Sequence, residues 1–179
     1  MRTETERLII RPIQRGDEIV FTGMAKDGSL LQIGFEDNCC EWIDGWITEA
    51  EGLTAKDDPR VNYIPCTVVL KATGEVIGSV GSTYYEDTDE IGLVYFAGAD
   101  YRGKGYITEA VKAYIPFFFE HYNEPKIKAT ILDSNTASQR VAEKSGFQLL
   151  EKKMYKDIDD EEEELYRFYV MRREGMDIK

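Results

Sequence analysis

The sequence predicts an α+β domain: a mixed, mostly antiparallel sheet of seven strands with helices on both faces. Three observations predict it. Short apolar runs punctuated by Gly, Pro, Asn and Asp recur along the chain, as half-buried strands do. Between two of them, Ile107, Ala110, Val111, Tyr114, Ile115 and Phe118 recur at the spacing of an amphipathic helix. The element order, two-strand units followed by helix, strand, helix and a closing hairpin, gives a mixed sheet rather than a doubly wound parallel one.

Thr5–Pro12 reads as the opening strand. Gly16-Asp17-Glu18 then starts a helix that runs to about Lys26. After a Gly-punctuated loop comes a second helix, with Cys40, Ile43, Trp46, Ile47 and Ala50 on one side. Tyr63–Ala72 and Glu75–Tyr85 form a hairpin around Thr73-Gly74, and the fourth strand covers Glu90–Phe96. Pro116 lies inside the long helix, where it cannot donate to the Lys112 carbonyl and should kink or end it. Lys126–Leu132 is a fifth strand, and Asn135–Ser145 a short helix closed by Gly146. Phe147–Lys156 and Leu165–Arg173 make the last hairpin. No repeat or linker divides the chain, so residues 1–179 are expected to form a single domain.

A net charge of −12 without a basic stripe argues against nucleic acid. No apolar run approaches a membrane span and the N-terminus lacks a leader's apolar core, so a cytoplasmic protein is expected. Three cysteines, two of them adjacent at Cys39 and Cys40, with a single histidine, give neither a disulfide framework nor a zinc site. No metal is expected. His121, near the end of the long helix, suits the last helix carbonyls better than catalysis.

The most informative stretch is Tyr101-Arg102-Gly103-Lys104-Gly105-Tyr106-Ile107-Thr108-Glu109-Ala110. It joins the fourth strand to the long helix. A glycine turn at a helix N-terminus offers unpaired amides and a positive dipole end to a phosphate. A Walker loop, Gly-x-x-x-x-Gly-Lys followed by Ser or Thr, fails because Gly105 follows Lys104. A dinucleotide fingerprint fails because position 108 is Thr. The spacing that fits is Arg/Gln-x-x-Gly-x-Gly/Ala over Arg102–Ile107, with Ile107 departing from its last position.

On those residues the chain resembles the GNAT superfamily of acetyl-CoA-dependent N-acetyltransferases. Three other segments resemble its ribosomal-protein N-terminal acetyltransferase branch: Thr5–Pro12, Gly74–Ser79 and Asn135–Phe147. The resemblance implies acetyl-CoA (coenzyme A) as cofactor, with its pyrophosphate on Arg102, Gly103, Lys104, Gly105, Tyr106, Ile107 and Thr108. It puts the pantetheine arm along the main chain of Tyr95, Phe96 and Ala97. One of those N–H groups would polarise the thioester carbonyl, usually the largest catalytic contribution. Asn135 is implied as a cofactor contact and is, independently, a helix N-cap worth about 1 kcal/mol. Ser138 stands where a hydroxyl approaches the cofactor sulfur, and is either the acid that protonates the leaving thiolate or an ordinary helix serine. Trp42 and Trp46 become candidate walls of the acceptor pocket, although core packing is the stronger expectation for Trp46.

Two roles of better-known branches do not carry over: Ala142 occupies the position of a tyrosine acid and Thr130 that of a glutamate base. Glu90, a carboxylate among apolar strands, is the first candidate for a general base, with Gly92 on the same face nearer the usual position. Glu109 reads as a first-turn acid complementing the helix dipole. The acidic run Asp157–Glu164 is a solvated hairpin tip or a lure for cationic acceptors.

The expectation is thus an acyltransferase in which an amine, from a protein N-terminus or a small molecule, attacks the thioester directly. Cys39, Cys40 and Cys66 lie outside the matched motifs, which disfavours a covalent acetyl-cysteine. The alternative is a non-catalytic acyl-CoA-binding regulatory module, and assembly as a homodimer is left open.

Overall fold

The computed structural model describes residues 1–28, 30–31, 35, 38–86, 88–157 and 162–173. Its strands are β1 (Thr3–Glu4), β2 (Leu8–Pro12), β3 (Tyr63–Leu70), β4 (Val76–Tyr85), β5 (Glu90–Ala97), β6 (Lys126–Leu132), β7 (Gln148–Tyr155) and β8 (Glu164–Arg172). Its α-helices are α1 (Asp17–Ala25), α2 (Ile43–Lys56), α3 (Tyr106–Tyr122) and α4 (Thr136–Ser145). The sheet order is β1-β2-β3-β4-β5-β6-β8-β7, antiparallel throughout except for the parallel β5–β6 neighbours. The expected mixed sheet is present with eight strands rather than seven, because Thr3–Glu4 folds back onto Ile9 and Ile10.

The sheet separates two apolar clusters. On one face Leu8, Ile10, Val68, Ile91, Leu93 and Ile127 pack against Ala110, Tyr114 and Phe118 of α3. On the other, Ile13 and Phe21 of the α1 region meet Ile43, Ile47 and Ala50 of α2, with Phe96 against them. Phe118 is fully buried, and its loss to alanine would cost about 3–5 kcal/mol.

Three local expectations are corrected. Pro116 does not end α3, which runs on to Tyr122. Both Pro116 and Lys112 are exposed, so water can serve the orphaned carbonyl while Ile115, Phe118 and Phe119 hold the helix to the core. Cys40 is not on the buried side of the second helix: residues 39–41 form a 3₁₀ turn, and its tighter winding buries Cys39 and exposes Cys40. His121 does not serve helix carbonyls. Its Nε2 lies 2.6 Å from Asp57 Oδ2 at the end of α2, with its ring stacked on Phe117.

Candidate active site

The turn before α3 has the backbone the glycines imply. Gly103 and Gly105 lie at φ 72° and 80°, left-handed values that disfavour any side chain. A Cβ at Gly103 would meet open space, and one at Gly105 would lie 3.6 Å from Arg7 Nη2. Among the described residues no acceptor meets the amides of Gly103 through Thr108. The first to bond back is that of Glu109, to Gly105 O at 3.0 Å. Six consecutive N–H groups therefore surround the positive end of a 17-residue helix. Beside them runs a groove of about 500 Å³ lined by Thr5, Glu6, Gly105, Thr108, Glu109, Lys112 and Ala113. Ile107, at the position where the motif prefers a small residue, is buried in the core beneath the turn.

The charged residues of the turn do different work. Arg102 Nε donates to Ala97 O at 3.0 Å, pinning the turn to the end of β5. Lys104 is exposed, its Nζ over the Tyr101 ring at 5.9 Å. Glu109 does more than complement the dipole. Its Oε1 accepts from Thr5 Oγ1 (2.5 Å) and Arg7 N (3.0 Å), and its Oε2 from Arg7 Nε (2.7 Å). Burial alone would raise the Glu109 pKa, but the donors from Thr5 and Arg7 outweigh it and hold the carboxyl below the ordinary glutamate range.

The turn leads back to a gap in the sheet. β5 and β6 share a single paired position, Gly92↔Lys128, whereas β5 pairs with β4 along its whole length. Beyond Gly92 the two parallel strands have separated. Strand alternation decides which groups face the gap. Gly98 N donates to Ile77 O, so Phe96 points its main chain toward β4 as well. Tyr95 and Ala97 point theirs into the gap, where Ala97 O is already taken by Arg102. Phe96 therefore does not offer the main-chain contact expected of it. Its amide belongs to the sheet, and its ring packs on Phe21 (5.3 Å) and Phe35 (5.6 Å) on the opposite face.

Across the gap stands α4. Asn135 caps it, Oδ1 accepting from Ser138 N at 3.1 Å, and Gly146 closes it at φ 100°. The Tyr95 hydroxyl donates to Ser138 O at 2.9 Å. The structure thus joins Tyr95 of β5 to Ser138 and Asn135 at the first turn of α4, while Ala97 O is tied to Arg102 of the glycine turn.

Glu90 is placed elsewhere. It begins β5 at the closed end of the β5–β6 pair, five residues before Tyr95 and so about 17 Å along the strand. Its carboxylate is not the lone acid among apolar strands that the sequence suggested: Lys126 Nζ reaches Oε1 at 2.5 Å and Lys128 Nζ reaches Oε2. A side chain at Gly92 would need the Tyr85 ring to shift, since a Cβ there would lie 2.4 Å from it. Of the two tryptophans, Trp46 is packed between Phe21, Phe35 and a stacked Tyr63. Trp42 is 38% exposed, against Phe35 at 5.4 Å. In the acidic run Asp157–Glu164, residues 158–161 lie outside the described residues.

Burial pushes the Cys66 thiol up to about 12, which leaves no thiolate at neutral pH. Cys39 is also buried. Among the described residues no cluster of His, Cys, Asp and Glu could hold a metal, and no helix is long and apolar enough to cross a membrane. Sequence reasoning missed Arg7, which lies about a hundred residues from the turn it touches, and the lysines that hold Glu90. The one available signal for Arg7 was its place inside the matched opening segment.

Residues 7–148 match the family model described as an acetyltransferase (GNAT) domain. The chain is 28% identical over 149 residues to the uncharacterized N-acetyltransferase YnaD of Bacillus subtilis, 82% of each chain. It is 33% identical over 85 residues to the uncharacterized N-acetyltransferase p20 of Bacillus licheniformis, 46% of this chain and about half (47%) of that relative. Among solved structures, a GNAT-family acetyltransferase from Bacillus anthracis superimposes with a TM-score of 0.80 at 20% identity, covering 96% of this chain and 98% of that one. The ribosomal-protein-S5-alanine acetyltransferase of Vibrio fischeri does so at 0.78 and 18%, covering 98% of each. The family model spans the separated strands, the glycine turn and α4 alike, and the chain belongs to the GNAT family of acetyltransferases.

Proposed function

We propose that residues 1–179 act as one catalytic domain that transfers an acetyl group from acetyl-CoA to a primary amine, on a peptide N-terminus or a small molecule. The observation that carries this reading is the row of amides from Gly103 to Thr108, which meet no acceptor among the described residues and which Arg102 ties to the end of β5. Those residues fit the cofactor of the family. A diphosphate needs several converging donors and no side chain in the way, and the turn supplies both. Arg102 and Lys104 flank the amides with positive charge, and Tyr106, Ile107 and Thr108 carry the first free N–H groups of the helix.

Acetyl-CoA, when bound, supplies the acetyl group as a thioester whose carbonyl a neutral amine attacks. The chain's part is to hold and polarise. Tyr95 and Ala97 present main-chain N–H groups toward the gap, and such fixed donors beside a carbonyl oxygen are usually the strongest catalytic contribution. Asn135 orders the first turn of α4, which sets Ser138 at the opening. The Ser138 hydroxyl would be placed to relay to the departing sulfur the proton that the attacking amine loses, so that the serine ends the step as a hydroxyl. We do not assign the base to Glu90, because two ammonium groups hold its carboxylate. The amine enters from the face that carries Phe96, Phe35 and Trp42.

Release of free thiol from acetyl-CoA with a panel of peptide N-termini, polyamines and amino acids tests the reading. Release that depends on one class of amine supports it. Tight coenzyme A binding without release to any amine would favour the non-catalytic alternative.

A further inference from the structure

We propose that Arg7 is a positioning residue for the glycine turn, and that through the turn it sets affinity for the phosphate portion of the cofactor. This rests on the reading that the pyrophosphate binds at Gly103–Thr108.

Arg7 lies just before β2, remote in sequence from the turn, yet it contacts it in four ways. Its Nη1 donates to Lys104 O at 3.1 Å, in the middle of the two left-handed glycines. Its guanidinium carbon sits 4.6 Å from the centre of the Tyr106 ring, the first residue of α3. Its Nε and Nη2 grip Glu109 Oε2 at 2.7 and 2.6 Å. Its own amide donates to the other carboxylate oxygen.

Each contact has a consequence for a bound diphosphate. A turn whose two glycines have few steric limits is floppy unless something fixes its carbonyls, and amides act together on an anion only when they are held converging. The bond to Lys104 O holds the peptide unit that joins Lys104 to Gly105. The stacking on Tyr106 fixes where the helix begins. The Glu109 contact is electrostatic: a carboxylate in the first turn suits the empty helix dipole but repels an incoming diphosphate. A guanidinium forked onto it cancels that repulsion. Arg7 is partly exposed, its side chain 43% accessible, so it is not needed to fill the core.

The test compares coenzyme A with pantetheine, which carries the same arm without the phosphates and the adenosine, by calorimetry on the full chain. The parent should bind coenzyme A more tightly than pantetheine. Arg7→Ala should weaken coenzyme A by about tenfold or more while leaving pantetheine within about twofold. Arg7→Lys, which keeps the charge but not the fork, should show a smaller loss confined to coenzyme A, and serves if the alanine variant does not fold. Equal losses for both ligands, or no loss for either, would overturn the proposal and leave Arg7 an ordinary surface ion pair. A parent that binds the two ligands equally would instead overturn the placement of the pyrophosphate at the turn, and the Arg7 proposal with it.

Discussion

The Tyr95 hydroxyl donates to the Ser138 carbonyl oxygen at 2.9 Å, tying β5 to α4 across the open side of the sheet. Burial raises the pKa of this phenol well above its ordinary value, and the bond to Ser138 only partly offsets that. It therefore stays a donor at neutral pH. Tyr95→Phe removes the donor and keeps the ring, so it should cost about 0.5–1.5 kcal/mol of stability. Denaturant unfolding measures this. An unchanged midpoint would show that the bond is replaced by water.

Ser138→Ala tests the proton donor. If the hydroxyl protonates the leaving thiolate, kcat should fall by about 10²-fold or more, with coenzyme A affinity nearly unchanged. Steady-state kinetics with the best acceptor separates the two quantities. Full turnover in the alanine variant would return Ser138 to being an ordinary residue of the first turn of α4.

The Glu109 contacts make a pH-dependent contribution to stability. Its folded pKa is depressed, so the contribution is present above the ordinary value of 4.5 and lost as pH falls through the lowered folded value. The difference in Tm between the parent and Glu109→Gln should therefore be largest near neutrality and shrink below about pH 4.5. A difference constant across that range would mean that the carboxylate charge does not hold the opening segment to α3.

Cysteine chemistry should be irrelevant to turnover. Cys40 is exposed, while Cys39 and Cys66 are buried. Alkylation of the native protein at pH about 8 should modify Cys40 alone and leave amine acetylation intact. Mass spectrometry counts the adducts. Loss of activity on labelling would reopen a covalent route.

Much of the architecture was legible because it is written in local periods. The strands from Tyr63 to Ala97, the crossover helix and Asn135–Gly146 all follow from alternation, helical spacing and capping residues close in sequence. The glycine turn was legible for the same reason. What was not legible depends on residues far apart in the chain. Nothing near Glu90 announces that Lys126 and Lys128 will neutralise it. Nothing near Gly105 announces Arg7. The outcome at Pro116 needed knowledge of which helix face meets water. The phase of Cys39 and Cys40 turned on a single tight turn that periodicity does not resolve.

The central claim is that the cofactor's pyrophosphate rests on the amides of Gly103 to Thr108, and calorimetry of coenzyme A binding to Gly105→Glu tests it most directly. The substitution places a carboxylate at a left-handed position (φ 80°) in the middle of the proposed anion site. Gly16→Glu is the control, being left-handed at φ 102° with open space around it, at the start of α1. The account predicts that Gly105→Glu abolishes measurable binding, or weakens it by about 10²-fold or more, while Gly16→Glu binds as the parent does. Parent-like affinity in a folded Gly105→Glu variant would contradict it.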